Sequence, residues 1–294
     1  MFPVNERLRK LLGTDTLLPY WLLLPTIIFV GIFFLMPLFK AIGLAFHGDA
    51  GFTLDYFKKM VSDVRFLDAL KFTFLYTITI VPLNVITALA MALVINTGFR
   101  GSRFLLYIYA LPLGISDLAA GLIWLSIFTH RGFLNSVLYS LGIIEHPIHY
   151  LSYQNINYTF LSVVAAEHWR ATAIVLVNLV AGLQMISKDY LEAAEVLGAR
   201  GWKKIWYVTL PLLKPSLQAA LIIRTIFALQ TFAVVLALAG QITPVLAEEA
   251  YFWQFQYRDS HIASAYAVLL MAISVAMTWV YLRYLRSRTE VIRG

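Results

Sequence analysis

The 294-residue sequence contains no cysteine. That absence excludes disulfide bridges, thiol nucleophiles, thiolate metal sites and palmitoyl anchors together. Charge is scarce as well: Asp, Glu, Lys and Arg make up 13% of the chain, against about 25% in a soluble globular domain. No glycine is followed by lysine, so there is no Gly-x-x-x-x-Gly-Lys-Ser/Thr phosphate loop. His146 and His149 lie close in one loop but lack a third ligand, so no metal site is expected there. What fills the chain is apolar: 60% of residues are hydrophobic, and mean hydropathy is +0.75. A disordered chain is excluded and a water-soluble enzyme fits poorly. The composition is that of an integral membrane protein.

A bilayer core of ~30 Å needs roughly 20 apolar residues in a helix rising ~1.5 Å per residue. Six runs meet that length: 17–39, 72–95, 104–128, 160–183, 212–238 and 263–285. The first is too long, and too interrupted by Pro19, Pro25 and Pro37, to be a cleaved signal peptide, so it reads as a retained anchor. The chain then divides into a terminal segment (1–16), a six-span domain (17–285) and a tail (286–294). Basic residues set the orientation. Arg7, Arg9, Lys10, Arg100, Arg103, Lys188, Arg200, Lys203, Lys204, Arg283, Arg286, Arg288 and Arg293 all fall on one side. The opposite loops hold Lys58, Lys59, Arg65, Arg131 and Arg258. The positive-inside rule predicts that the richer side, with both termini, is cytoplasmic in a plasma or inner membrane. Topology thus accounts for the net charge of +7, and no nucleic-acid partner is expected.

The loop between the fourth and fifth spans (186–210) is long and patterned. Helix formers dominate 189–197, with Asp189 as the expected N-cap and Glu192 three residues on. Tyr190, Ala193, Ala194 and Leu197 recur at i, i+3, i+4 and i+7, an apolar face on a short helix. Gly198 and Gly201 permit a break, and Ile205, Trp206 and Val208 begin a second apolar segment. On these residues alone, such a helix could lie on lipid headgroups, serve as a connector or dock a partner.

Glu192-Ala193-Ala194, three residues, Gly198, and nine more to Val208-Thr209-Leu210-Pro211 resemble the EAA loop of ATP-binding-cassette import permeases, with Val208 where isoleucine is usual. Trp169-Arg170, Leu183-Gln184-Met185-Ile186, Gly132-Phe133-Leu134-Asn135, Pro112 and the small residues of 263–270 are similar to the carbohydrate-uptake branch. The chain departs from that branch at Ser187, where proline is usual, and at Leu197, where aspartate is. It departs again at 239–242, which lacks the usual Thr-x-Gly-Gly-Pro.

The resemblance implies an all-α membrane protein of six transmembrane helices, with a cytoplasmic coupling helix between spans four and five. The implied coupling residues are Glu192, Ala193, Ala194, Leu197, Gly198, Leu210 and Pro211. It further implies a subunit of a binding-protein-dependent sugar importer, without catalytic residues or a cofactor of its own. Two cytoplasmic ATPase subunits would hold ATP and Mg2+, a related but distinct second permease would complete the pathway, and an extracytoplasmic solute-binding protein would deliver cargo. Another solute (a polyol phosphate, amino acid or peptide) is the nearest alternative. An ion-coupled carrier is the more distant one, because acidic residues within the spans are few, chiefly Asp117 and Glu167.

Polar residues inside spans are the candidates for touching cargo: Asn84, Asn178, Arg224, Gln230 and Thr231. Arg224 is the costliest, since an arginine at a helix centre costs ~2.5–3.5 kcal/mol on insertion scales. It therefore calls for a partner or an aqueous cavity. On a continuous helix, residues 224 and 231 share a face. The competing role for each of these residues is hydrogen bonding between helices, at ~0.6 kcal/mol on average.

Overall fold

Where lipid replaces water, each peptide group must find its partner within its own segment, and the chain does so almost wholly through helices. The computed structural model describes residues 18–48 and 51–284. The terminal segment 1–16 and the tail 286–294, with their arginines and Lys10, lie outside the described residues. The chain runs through α1 (Leu18–Val30), a π turn (Gly31–Leu35) and α2 (Met36–Phe46), then β1 (His47–Gly48), β2 (Gly51–Phe52) and α3 (Asp55–Val61). The two short strands pair antiparallel, His47 opposite Phe52. Next come α4 (Phe66–Asn96), α5 (Ser102–Ala110), a 3-10 turn (Leu111–Gly114), α6 (Asp117–Phe128), α7 (Phe133–Ser140) and α8 (Ile156–Gln184). The remaining helices are α9 (Lys188–Val196), α10 (Trp202–Lys204), α11 (Leu210–Leu229), α12 (Ala233–Leu238), α13 (Leu246–Phe255) and α14 (Ser260–Tyr284).

Five helical stretches are long and apolar enough to cross a membrane: Pro19–Phe46, Phe66–Asn96, Tyr153–Gln184, Trp202–Leu229 and Ser260–Tyr284. A sixth exists if Ser102–Gly114 and Asp117–Ser140, bent 103° from each other, form one broken span. The expected third span, 104–128, is therefore two pieces. Pro112 sits in the 3-10 turn, Ile115 is extended, and the Ser116 hydroxyl starts α6 by accepting the Ala119 N–H at 3.2 Å. The expected fifth span, 212–238, is also two pieces. Its helix ends at Leu229, and α12 turns away to bury Val234, Val235 and Leu238 against α6 and α8.

Two prolines explain two wide turns. A proline ring clashes with the carbonyl four residues back and offers no N–H to it. For Pro37 and Pro211 those carbonyls belong to Phe33 and Tyr207, the centres of the π turns Gly31–Leu35 and Ile205–Thr209. There Met36 and Leu210 bond five residues back, to Gly31 and Ile205, and each helix continues.

The long helices α4 and α8 form the spine. One apolar layer gathers Tyr76, Ile80, Val163, Val164 and Ala166 with α12; a second gathers Ala88, Ala92, Val175, Leu176 and Leu179 with Leu213 and Ala220 of α11. Small residues let the backbones close in, as in membrane bundles generally. A Cβ on Gly182 would run into the Ser216 side chain of α11. A third cluster joins α3, the start of α4, α13 and α14 through Met60, Phe66, Leu246 and Tyr266.

Glu248 and Glu249 of α13 are fully buried in this third region, and none of their four carboxylate oxygens has a hydrogen-bond partner among the described residues. Burial and the neighbouring Glu249 push the Glu248 carboxyl up to about 8. Burial raises Glu249 to about 7, against the pull of Arg65, whose guanidinium is 4.0 Å away. The folded state therefore binds more protons than the unfolded chain between the ordinary carboxylate range and about pH 8. Stability is greatest near pH 5 and falls as pH rises through that window. The thermal midpoint in detergent is expected to drop from pH 5.5 to pH 8.5, and Glu248→Gln to flatten that slope; an unchanged slope in the variant would refute the assignment.

Candidate functional site

Two regions concentrate the residues that composition cannot explain. One is the short helix α9. Its N-cap is Ser187, whose hydroxyl accepts the Asp189 N–H at 3.3 Å. The expected cap at Asp189 is thus displaced by two residues, and Glu192 does not complete a capping box. Serine takes the role because its side chain reaches the free N–H from an extended backbone (ψ 137°) while Lys188 already has helical geometry. The helix ends in a Schellman motif: Gly198 N–H bonds the Glu195 carbonyl at 3.0 Å, and Ala199 N–H bonds the Ala194 carbonyl at 2.8 Å. Gly198 has φ +86°, a left-handed conformation that suits glycine.

The expected apolar face of α9 is corrected by burial. Ala194 is buried and Leu191 half-buried, whereas Tyr190, Ala193 and Leu197 are exposed, as is Glu192. The helix rests on its own chain along the 191/194 side, above a cavity of about 340 Å³ shared with Leu93, Leu183 and Ile205. Glu195 pairs with Lys204 of α10, and that ammonium lowers the carboxyl from its ordinary value. Through Lys204 and the π turn, α9 is joined to α11; Leu210 opens α11 half-buried and Pro211 is exposed.

The second region lies midway along α4 and α8, between their two apolar layers. Arg224 of α11 is fully buried. Its Nε donates to Asn84 Oδ1 at 2.8 Å and its Nη2 to Glu167 Oε2 at 3.2 Å. Glu167 also accepts from Arg170, whose Nη2 lies 3.2 Å from both carboxylate oxygens. Arg170 Nη1 reaches Asp117 Oδ1 at 2.8 Å, at the first turn of α6. Asn84 Nδ2 donates to Thr172 Oγ1 at 2.7 Å and to the His168 carbonyl at 3.1 Å. Four helices are thus tied by one chain of alternating charge.

A cavity of about 440 Å³ opens on this chain, lined by Pro112, Asp117, Arg170, Arg224, Phe227 and Gln230. Arg224 Nη1 and Arg170 Nε have no hydrogen-bond partner among the described residues.

Of the five expected cargo residues, Arg224 and Gln230 line this cavity. Asn84 is buried and spends its amide on Arg224, Thr172 and the His168 carbonyl. Thr231 is buried and bonds the Phe227 carbonyl at 3.3 Å. Asn178 is half-buried, a turn and a half beyond Thr172 on α8, and does not line the cavity. The helical-face argument for 224 and 231 fails because α11 stops at Leu229. Glu167, Arg170 and Asp117 complete the site without having been expected there. Their signal was present: charges of both signs within apolar runs must find each other.

A family model described as a binding-protein-dependent transport system inner membrane component matches residues 65–290. The sn-glycerol-3-phosphate transport system permease protein UgpA of Agrobacterium fabrum is 30% identical over 289 residues, covering 94% of this chain and 97% of its own. The trehalose/maltose transport system permease protein MalF of Thermococcus litoralis is 30% identical over 297 residues, covering 97% and 99%. A solved bacterial ABC transporter involved in the import of the acidic polysaccharide alginate shares the fold, with a TM-score of 0.79 over 92% of this chain and 95% of that one, at 21% identity.

Because Glu167 stands between two guanidiniums, Glu167→Gln leaves Arg224 buried without a counter-charge. The expected cost is about 3–5 kcal/mol, read as a lower unfolding midpoint. The double variant Glu167→Gln/Arg224→Met is expected to recover most of that loss. A double variant no more stable than the single one would show that the pair is not the source of the cost.

Proposed function

The chain belongs to the family of binding-protein-dependent transport system inner membrane components, and from that membership we propose that it is a permease subunit of an ATP-driven importer whose cargo is a sugar. It is a multi-pass membrane protein. The observation that carries the proposal is the geometry of α9. This is a capped, rigidly terminated helix outside the spans, resting on Ala194 and presenting Glu192, Ala193 and Leu197 outward. A helix that is both stiff and exposed suits a docking element better than a connector.

In this reading the Lys188–Lys204 side and both termini face the cytoplasm. Of two separate ATPase subunits, which hold the ATP and Mg2+, one receives α9 in a groove on its surface. Glu192 meets a basic side chain there, exposed Ala193 keeps the approach close, buried Ala194 lets the helix sit tightly on its own chain, and Gly198 sets the exit of the chain. ATPase closure moves α9 as a body. The displacement passes through Lys204 and the π turn into α11 and so reaches Arg224, which is a coupling free energy between two distant sites. A second permease subunit supplies the other half of the pathway. The first span supports that assignment, since its most apolar window has no residue buried by its own chain. An extracytoplasmic binding protein delivers the cargo.

The trehalose/maltose relative supports a sugar. The glycerol-phosphate relative favours a second reading, a polyol phosphate. A Cβ on Gly198 meets nothing within 4 Å, and its left-handed φ of +86° costs an aspartate only about 1–2 kcal/mol, so Gly198→Asp and Glu192→Lys are expected to insert and fold. With the ATPases, second permease and binding protein reconstituted, both variants are expected to lose at least about tenfold of labelled sugar uptake, roughly 1.4 kcal/mol of coupling or more. Normal uptake by both would sink the docking role, and uptake of glycerol 3-phosphate in place of sugars would favour the second reading.

A further inference from the structure

The cavity beside Asp117 carries a charge pattern that selects among solutes. Its volume, about 440 Å³, lies within the ~300–1,000 Å³ of small-molecule sites. Two guanidiniums line it, and free guanidiniums would favour an anion. These two are already compensated: Arg170 by Asp117 and Glu167, Arg224 by Glu167. Two cations and two anions leave the set neutral, and its most exposed member is a carboxylate. The Asp117 side chain is 53% exposed, against 19% for Arg170 and 1% for Arg224.

What the set leaves uncommitted is hydrogen-bonding capacity rather than charge. Arg224 Nη1 and Arg170 Nε are buried donors without partners among the described residues. The exposed Gln230 amide supplies both a donor and an acceptor, and the Asp117 carboxylate supplies acceptors. Half-exposed Phe227 adds an apolar ring face on the same wall. The exposed amide and carboxylate beside an aromatic face, rather than the buried guanidinium donors, match a ring that carries hydroxyls. An incoming anion would meet guanidiniums already paired and, as the most exposed charged group, the Asp117 carboxylate.

Building on the reading of the chain as a sugar permease, we propose that this cavity is a subsite for an uncharged, hydroxyl-bearing solute and that Asp117 is the residue that turns anions away. Asp117 does so from the first turn of α6, placed there by the break in the third span. Its pairing with Arg170 holds the carboxylate in the cavity wall.

The absence of cysteine makes any introduced thiol unique within this chain, so labelling read on this chain by mass spectrometry gives a test that does not require the cargo to be known. Phe227→Cys and, separately, Gln230→Cys are placed in the complete reconstituted transporter. Each is labelled with neutral methyl methanethiosulfonate and with its anionic sulfonatoethyl counterpart, and rates are normalised to free cysteine. The set is neutral overall and its most exposed member is the Asp117 carboxylate; the anionic reagent is therefore expected to label both positions about threefold more slowly than the neutral one, the order of effect of one partly screened charge. Asp117→Asn is expected to close most of that gap and Asp117→Glu to preserve it. Equal normalised rates in the parent, or a gap unaffected by Asp117→Asn, would overturn the proposal. Maltose slowing the labelling would support it, and glycerol 3-phosphate slowing it instead would overturn it. Failure of the underlying sugar reading would show separately, as absent uptake of uncharged sugars with the labelling contrast intact.

Discussion

An arginine cannot stand alone in the apolar middle of a helix bundle, and the arrangement of the central helices follows from satisfying Arg224. Its guanidinium needs a carboxylate and a carbonyl-type acceptor, which come from Glu167 on α8 and Asn84 on α4. Glu167 then draws in Arg170, and Arg170 draws in Asp117. That last contact ties the start of α6 to the middle of the bundle. Apolar layers above and below seal the set. A buried pair of this kind contributes little net stability compared with a well-packed apolar equivalent, but removing one partner is costly. It specifies which helices meet, and at what height, more than it strengthens their meeting.

The same helix, α11, connects this buried set to the exposed one. At one end it leads back through a π turn and Lys204 to Glu195 on α9; near the other it carries Arg224 and ends at the cavity with Gln230. A widened turn held by proline is a defined geometric feature rather than a loose joint, because Leu210 keeps a hydrogen bond to Ile205. The proposed functional division maps onto this one rod, with docking at one end and solute contact at the other.

Much of this was legible in the residues. Apolar length marked the long helices, and the helix at 188–196, its glycine exit and its exposed Glu192 were visible as pattern and motif. The misplacements are local in origin. Ser187, two residues earlier, took the cap expected of Asp189, the third run broke at Pro112 and the Ser116 cap, and α11 ended at Leu229, before Gln230 and Thr231. Val234 and Val235 read as a continuing span because hydropathy cannot distinguish a side chain facing lipid from one facing α6 and α8. Nothing local marks Glu248 and Glu249 as buried, because only the tertiary fold packs α13 against Tyr266 and Phe66.

The sequence by itself determined membrane residence, the approximate number of spans and the patterned segment between the fourth and fifth. These depend on composition and short-range periodicity, which the chain carries wherever it goes. Only the tertiary structure decided which ionisable groups neutralise one another, because pairing between residues 84, 117, 167, 170 and 224 is a matter of helix height and rotation. The sequence offered Arg224 as a cost without a remedy. The fold supplies the remedy from α4 and α8, and in doing so shapes the cavity at its side.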